Sequence, residues 1–369
     1  MRGLYVHVPF CARKCSYCDF YSLAGRGKLT APYIDAILEE STLYAKQGFQ
    51  TLYIGGGTPS LLGAELLEKL ILGLRQSFDL SGMIEATIEA NPDSATQPFL
   101  QKAIAMGFNR ISIGVQSLND AELKSVGRIH DSQQAIKAIK LSKATGFASI
   151  SADLIAGLPG QTWQSLRDSL LKLTNMDINH VSLYCLAVEE GTPLANNIPP
   201  ELPSDDIQAE LFEQARDLLA GQGYIHYEIS NFTQKGHQCQ HNLNYWRGGE
   251  YLGLGPAAAS HLGQKRSRNK ANLEAYLADP TGQTEFVEKL DITEKAAEEA
   301  MLRLRLVEEG LDISELEDRY GKANTSSITA RLEKMTREGN LEKEGRRYRL
   351  KAERILTANP IFAEVLSPA

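Results

Sequence analysis

The chain has 369 residues, 43% hydrophobic and 23% charged, a balance that excludes a disordered or membrane-embedded polymer and allows more than one core. Its net charge of −7 and pI of about 5.6 argue against a dedicated nucleic-acid binder. The opening residues Met1–Pro9 hold one basic side chain and a short apolar run, no run reaches bilayer length, and five cysteines make an odd set for disulfides, so a cytoplasmic protein is expected.

In chain order, β-rich runs are predicted at Leu4–Val8, Thr51–Ile54, Ile84–Ala90, Arg110–Val115, Ser149–Ile155 and His180–Leu186. Helical patterns fall between them at Tyr33–Gly48, Leu61–Phe78, Gln97–Met106, Gln133–Gly146 (Gly146 reading as a C-cap) and Trp163–Asn175. Six strands with helical crossovers imply an α/β fold, a parallel sheet that is open or curled into a partial barrel. Pro199, Pro200 and Pro203 then break the pattern, and Ser204-Asp205-Asp206 starts a helix running to about Gly221.

A Gly-, His- and aromatic-rich stretch follows from Tyr224 to about Leu262, without a clear helical period. From about Thr284 the sequence is charged and helix-forming: three helices at 293–309, 313–320 and 325–338, then Leu341–Leu350 with a hairpin tip at Gly345-Arg346, suggest a winged-helix-like unit. The expected organisation is therefore a partial (β/α)6 barrel over 1–200, a small α+β linker region over 201–283, and the winged-helix-like domain over 284–369. Between Lys322 and Arg354 there are ten Lys/Arg against five Glu, a local basic surplus.

The chemistry is concentrated in Cys11-Ala12-Arg13-Lys14-Cys15-Ser16-Tyr17-Cys18, three thiols on one short loop after the first strand. A cubane iron–sulfur cluster has four irons, and so compact a loop reaches three of them. The fourth is left open to chelation by the amino and carboxylate groups of S-adenosylmethionine. Zinc is the main alternative, with His7 as a fourth ligand, although zinc sites favour paired two-residue spacings. Three free thiols fit less well beside Arg13 and Lys14, which should lower their pKa. Gly55-Gly56-Gly57-Thr58-Pro59 follows the second strand, where glycines let backbone approach a ligand. Glu89, Gln116 and Asp153 sit at strand ends, facing the crevice where parallel sheets bind ligands.

The cysteine spacing, with an aromatic before the third cysteine, resembles the radical S-adenosylmethionine superfamily. Tyr5-Val6-His7-Val8-Pro9-Phe10-Cys11 narrows the resemblance to the oxygen-independent coproporphyrinogen oxidases and their relatives. The resemblance implies a 4Fe–4S cluster on Cys11, Cys15 and Cys18. For S-adenosylmethionine it implies that the run including Gly56, Gly57 and Thr58 meets the amino group, Arg128 the carboxylate and Asp153 the ribose hydroxyls. Glu89 and Gln116 would orient the cofactor, with Tyr5, Tyr17 and Ala187 as weaker carry-overs. Gly157-Leu158-Pro159-Gly160-Gln161-Thr162 also matches the branch and reads as loop structure.

Two features separate branches. Phe20 stands where the oxidases resemble a pattern with a fourth cysteine, and the extension they place ahead of the first strand is not expected here. His241-Asn242-Leu243-Asn244-Tyr245-Trp246 is similar to the H-N-x-x-Y-W signature of HemW-type heme chaperones. That similarity implies heme held by His241 or Tyr245 with Trp246 against the macrocycle, His226, His237, Cys239 and His261 being alternative ligands. The bland alternative is that His241 and Trp246 simply pack between sheet and linker. The implied partners are heme, acceptor hemoproteins and a reductant such as flavodoxin or ferredoxin, with no stable nucleic acid; peripheral membrane association and a dimer are compatible with it. The competing functions are a coproporphyrinogen III oxidase and a metal-sensing winged-helix regulator.

Overall fold

The computed structural model describes residues 1–367. Its first half alternates β1 (Arg2–Val8), α1 (Thr30–Ser41), β2 (Thr51–Gly56), α2 (Gly63–Ser77), β3 (Glu85–Ala90), α3 (Gln97–Ala105), β4 (Arg110–Gln116), α4 (Ser132–Thr145), β5 (Ser149–Ala156), α5 (Trp163–Thr174) and β6 (His180–Cys185). The six strands lie side by side in chain order, each parallel to the next, as in a partial (β/α)6 barrel. Successive side chains of a strand point to opposite faces. Ile111, Ile113 and Val115, or Ala152, Leu154 and Ala156, are therefore buried on one face, while Ser112, Gly114, Gln116 and Asp153 reach a cavity on the other.

The helix ends follow the sequence signals. Asp131 caps α4 through the Gln134 N–H at 2.8 Å, and Gln134 returns the bond to the Asp131 N–H at 2.9 Å. Gly146 closes the same helix at φ +100°, the left-handed conformation a C-cap requires. Ser204 caps the helix Asp205–Gly221.

Residues 225–289 are woven into the same sheet. Glu250–Leu254 pairs in parallel with the free side of β1, and Ala259–Leu262, Lys265–Asn269 and Thr284–Lys289 extend it antiparallel. On the far side, Asn231–Thr233 and Ile225–Glu228 continue beyond β6, giving twelve strands in all. Thr284–Lys289, at the predicted start of the terminal domain, is thus the edge strand of the large sheet.

The terminal helices are Ile292–Arg303, Ile313–Tyr320 and Lys322–Arg337 and, after the hairpin Leu341–Glu344 and Arg347–Leu350, a fourth at Asn359–Leu366. The first ends six residues before the predicted 309, because Leu306 turns inward and Gly310 adopts φ +66° with its N–H on the Leu306 carbonyl. These elements bury a core of their own around Leu316, Ile328, Leu332, Met335 and Val365, separate from the main one. Among the described residues, no helix is long and apolar enough to cross a membrane.

Candidate functional site

The cysteine loop is held in place by backbone. The Gly57 and Thr58 N–H groups each donate at 2.7 Å, to the Val8 and Phe10 carbonyls, lacing the glycine run to the end of β1. A Cβ at Gly57 would stand 2.7 Å from the Phe10 oxygen and 3.1 Å from Cys11 Sγ, so this approach needs glycine. The loop itself is pinned by Ser16, whose N–H donates to Val126 and whose carbonyl accepts from Leu194. Cys11, Cys15 and Cys18 all line one cavity of about 340 Å³.

Hydrogen bonds converge on the sulfurs. Thr58 donates its hydroxyl to Cys11 Sγ at 3.6 Å and accepts from Asn91 Nδ2 at 3.0 Å. Arg128 donates to Asn91 Oδ1 at 2.8 Å, to the Gly114 carbonyl at 2.6 Å and to Cys15 Sγ at 3.7 Å. Donors aimed at ligating sulfur are the means by which proteins stabilise iron–sulfur clusters, so this donor set suits one. Among the described residues, no three His, Cys, Asp or Glu side chains are gathered closely enough for a single metal ion. The expected activation of the thiols by Arg13 and Lys14 is not general. Burial raises the Cys18 pKa, and Lys14, whose ammonium donates to the Phe20 carbonyl, does not outweigh it.

The same cavity gathers most of the other predicted residues: Tyr17, Gly56, Gly57, Thr58, Glu89, Gln116, Arg128, Asp153 and Ala187. Glu89 accepts from the Tyr53 hydroxyl at 2.7 Å and from the Gly56 N–H at 3.1 Å. Burial pushes its pKa up to about 7, with the Asp153 charge adding to the effect. Asp153 accepts from the Ser112 hydroxyl at 2.8 Å and is likewise raised by burial. Gln116 ends β4 at φ +64°, where the register with β5 slips, so its side chain is aimed by strained backbone. Tyr5 is the exception. Its hydroxyl bonds to His7 Nδ1 at 3.0 Å, and it faces a second cavity of about 520 Å³ rather than the cysteines. His7 donates from Nε2 to the Tyr21 carbonyl at 2.8 Å; both its nitrogens are used, which removes it as a fourth zinc ligand.

The His241–Trp246 segment forms the short helix Gln240–Trp246 beneath the sheet. Glu85 accepts the His241 and Gln240 N–H groups at 2.9 Å each and the Cys239 thiol at 3.4 Å, a buried carboxylate capping the helix. His241 is 1% exposed, with Nδ1 on the Thr51 hydroxyl at 2.8 Å and Nε2 on the Tyr245 hydroxyl at 2.7 Å. Burial drops its pKa to about 3. In this arrangement both imidazole nitrogens are engaged by hydroxyls of the protein itself. Trp246 stacks under Arg305 at 4.6 Å. Of the alternatives, His226 stacks on Phe232 at 4.2 Å and Cys239 is sealed against Glu85, whereas His261 lines the second cavity.

Comparison with known proteins gives this geometry a setting. The Radical SAM superfamily model matches residues 5–173, and the HemN C-terminal domain model matches 290–355. The chain is similar to the heme chaperone HemW of Lactococcus lactis subsp. lactis (strain IL1403), 36% identical over 340 residues and covering 89% of each chain. Against the Bacillus subtilis (strain 168) heme chaperone HemW it is 32% identical, with 99% of each chain covered. The chain belongs to the HemW family. The HemW of Escherichia coli (strain K12) is 41% identical over 69% of each chain. Coproporphyrinogen III oxidase (HemN) from Escherichia coli, a radical SAM enzyme, shares the fold with a TM-score of 0.87 at 23% identity, covering 99% of this chain and 90% of that one.

For a HemW-family chain, sequence reasoning passed over several residues. Asn91 follows Glu89 by two residues, yet its bridge from Arg128 to Thr58 is visible only in three dimensions. Tyr53 and Ser112 hold the two half-buried carboxylates from neighbouring strands, and period-2 alternation opposite apolar residues was their available signal. Asp19 and Phe20 line both cavities, so the side chain in place of a fourth cysteine borders each of them.

Proposed function

We propose that this chain holds a 4Fe–4S cluster on Cys11, Cys15 and Cys18, binds S-adenosylmethionine beside it, and carries heme for delivery to acceptor hemoproteins. One observation carries the reading: three thiols, a glycine run, a guanidinium and two half-buried carboxylates converge on a single cavity of about 340 Å³, in a chain related to heme chaperones over most of its length. Arg128 would pair with the methionine carboxylate, and Glu89 with Gly56 and Gly57 would take the amino group. Asp153 would hold the ribose hydroxyls while Gln116, Tyr17 and Ala187 set the cofactor's orientation. The cluster, when bound, supplies an electron-transfer centre with one iron open to a chelating ligand. Heme is the cargo, and the larger aromatic cavity beside Tyr5, Tyr245 and Trp246 is of the size ligand pockets take.

A flavodoxin- or ferredoxin-type reductant, residence in the cytoplasm, docking at the membrane surface and pairing of two copies are the finer parts of the proposal. The regulator reading loses its main support. Lys334, Lys343, Arg346, Arg347 and Arg349 in the basic stretch are all within salt-bridge distance of acidic side chains of the same domain. Phe20 in place of a fourth cysteine argues against the oxidase.

Anaerobic purification with iron and sulfide analysis, heme titration, and transfer of bound heme to an apo-hemoprotein test the proposal together. Four irons per chain, a cluster signal that changes on adding S-adenosylmethionine, and transfer of heme are expected. A lone zinc, or enzymatic decarboxylation of coproporphyrinogen III, would overturn it.

A further inference from the structure

Resting on the reading that the chain carries heme, we propose that heme lies in the second cavity with His261, not His241, as the axial ligand to its iron. Three adjacent strands build one wall. Tyr5 on β1 is the register partner of Gly253, and Tyr251 on the same strand as Gly253 is the partner of His261, so all three side chains share a face. Tyr245 and Trp246 from the short helix and Leu302 from the terminal domain complete an aromatic and aliphatic lining of the kind a porphyrin plane packs against. Arg266, opposite His261 in the next strand, also lines the cavity, its guanidinium paired with Glu288 and Glu298.

His261 is distinguished by what it lacks. It is 4% exposed, it lines the cavity, and its Nε2 has no hydrogen-bond partner. Buried nitrogens are ordinarily paired, and an imidazole nitrogen left free in a cavity is the commonest protein ligand of heme iron. Burial, followed by the cations Lys295 and Arg266, keeps the ring below its ordinary pKa against the weaker pull of Glu250 and the Gly263 backbone. The imidazole is therefore neutral, with a lone pair to give.

His241 has the opposite character, both nitrogens being consumed inside the protein. Its ring packs on Tyr245 at 4.8 Å, Tyr245 on Tyr251 at 4.5 Å, and Tyr251 on His261 at 6.1 Å. The H-N-x-x-Y-W segment is thus a positioning device for the cavity wall. Because Phe20 and Asp19 border both cavities, the cargo would sit next to the cluster loop.

The test is heme titration of the anaerobically reconstituted full chain, followed by absorption and by electron paramagnetic resonance of the ferric complex. His261→Ala should lose the imidazole-ligated signature and at least roughly tenfold in affinity, with both recovered by added imidazole and with iron and sulfide content unchanged. His241→Ala should keep the imidazole signature even where affinity falls. Ala259→Phe, which fills the cavity from the same face as His261, should block uptake while the cluster stays intact, a check independent of the ligand variant. Unchanged affinity and signature in His261→Ala overturn the assignment, as does loss of the imidazole signature in His241→Ala alone. If the unmodified chain takes up no heme saturably, the chaperone reading itself fails.

Discussion

At the scale of single residues, the site depends on charges kept out of water. Glu89 has its pKa raised to about 7 by burial, against an ordinary value of 4.5. The folded state therefore binds more protons than the unfolded one across that window. Its contribution to stability is complete below pH 4.5 and is lost as pH rises through 7, about 3 kcal/mol in all. Glu89→Gln should flatten that part of the stability curve in urea unfolding measured from pH 4.5 to 8. An amino N–H polarised by iron is held better by an ionised Glu89 than by the neutral acid, so S-adenosylmethionine affinity should climb more steeply between pH 6 and 8 in the unmodified protein than in Glu89→Gln. A climb of equal size in both would remove Glu89 from the amino-group role.

At the scale of elements, short pieces of backbone are held by long-range side chains. Glu85 on β3 gathers the amides of Gln240 and His241 and the thiol of Cys239, more than 150 residues away. Glu85→Ala leaves buried donors unpaired at a helix start, and a loss of about 2–4 kcal/mol in chemical unfolding is expected. A change below about 0.5 kcal/mol, the size typical of surface substitutions, would mean the helix is anchored by packing alone. The helices of the barrel were legible because caps such as Asp131 and Gly146 act within one turn. The strand Glu250–Leu254 was not, since nothing in its own residues says that its partner is β1, nearly 250 positions earlier.

At the scale of the whole molecule, two cores meet through a small apolar cluster of Tyr227, Leu243 and Leu306 and through ion pairs. Arg247 pairs with Glu309 and Arg266 with Glu298 across the edge of the large sheet, while Glu288 holds Arg266 from within the sheet. Because Leu332 lies wholly within the terminal core, Leu332→Ala should cost about 2–5 kcal/mol, read as faster hydrogen exchange confined to residues beyond Leu290. Cluster iron and sulfide should be unaffected. Loss of the cluster in that variant would show the two cores to be one cooperative unit.

What the sequence determined by itself is what local spacing can encode. Three cysteines within eight residues, six alternating β/α units and the glycine run after the second strand are all fixed by residues that are neighbours in the chain. The common cavity for Glu89, Gln116 and Asp153 also followed, once parallel strands placed their ends together, while Arg128 was implied only by the family resemblance. Tertiary structure decided the rest. It turned Tyr5 toward the second cavity, closed both nitrogens of His241, left Nε2 of His261 unpaired, and made Thr284–Lys289 an edge strand. Each of these outcomes depends on which distant strand or helix packs against which face, and periodicity within a segment carries no information about a partner hundreds of residues away.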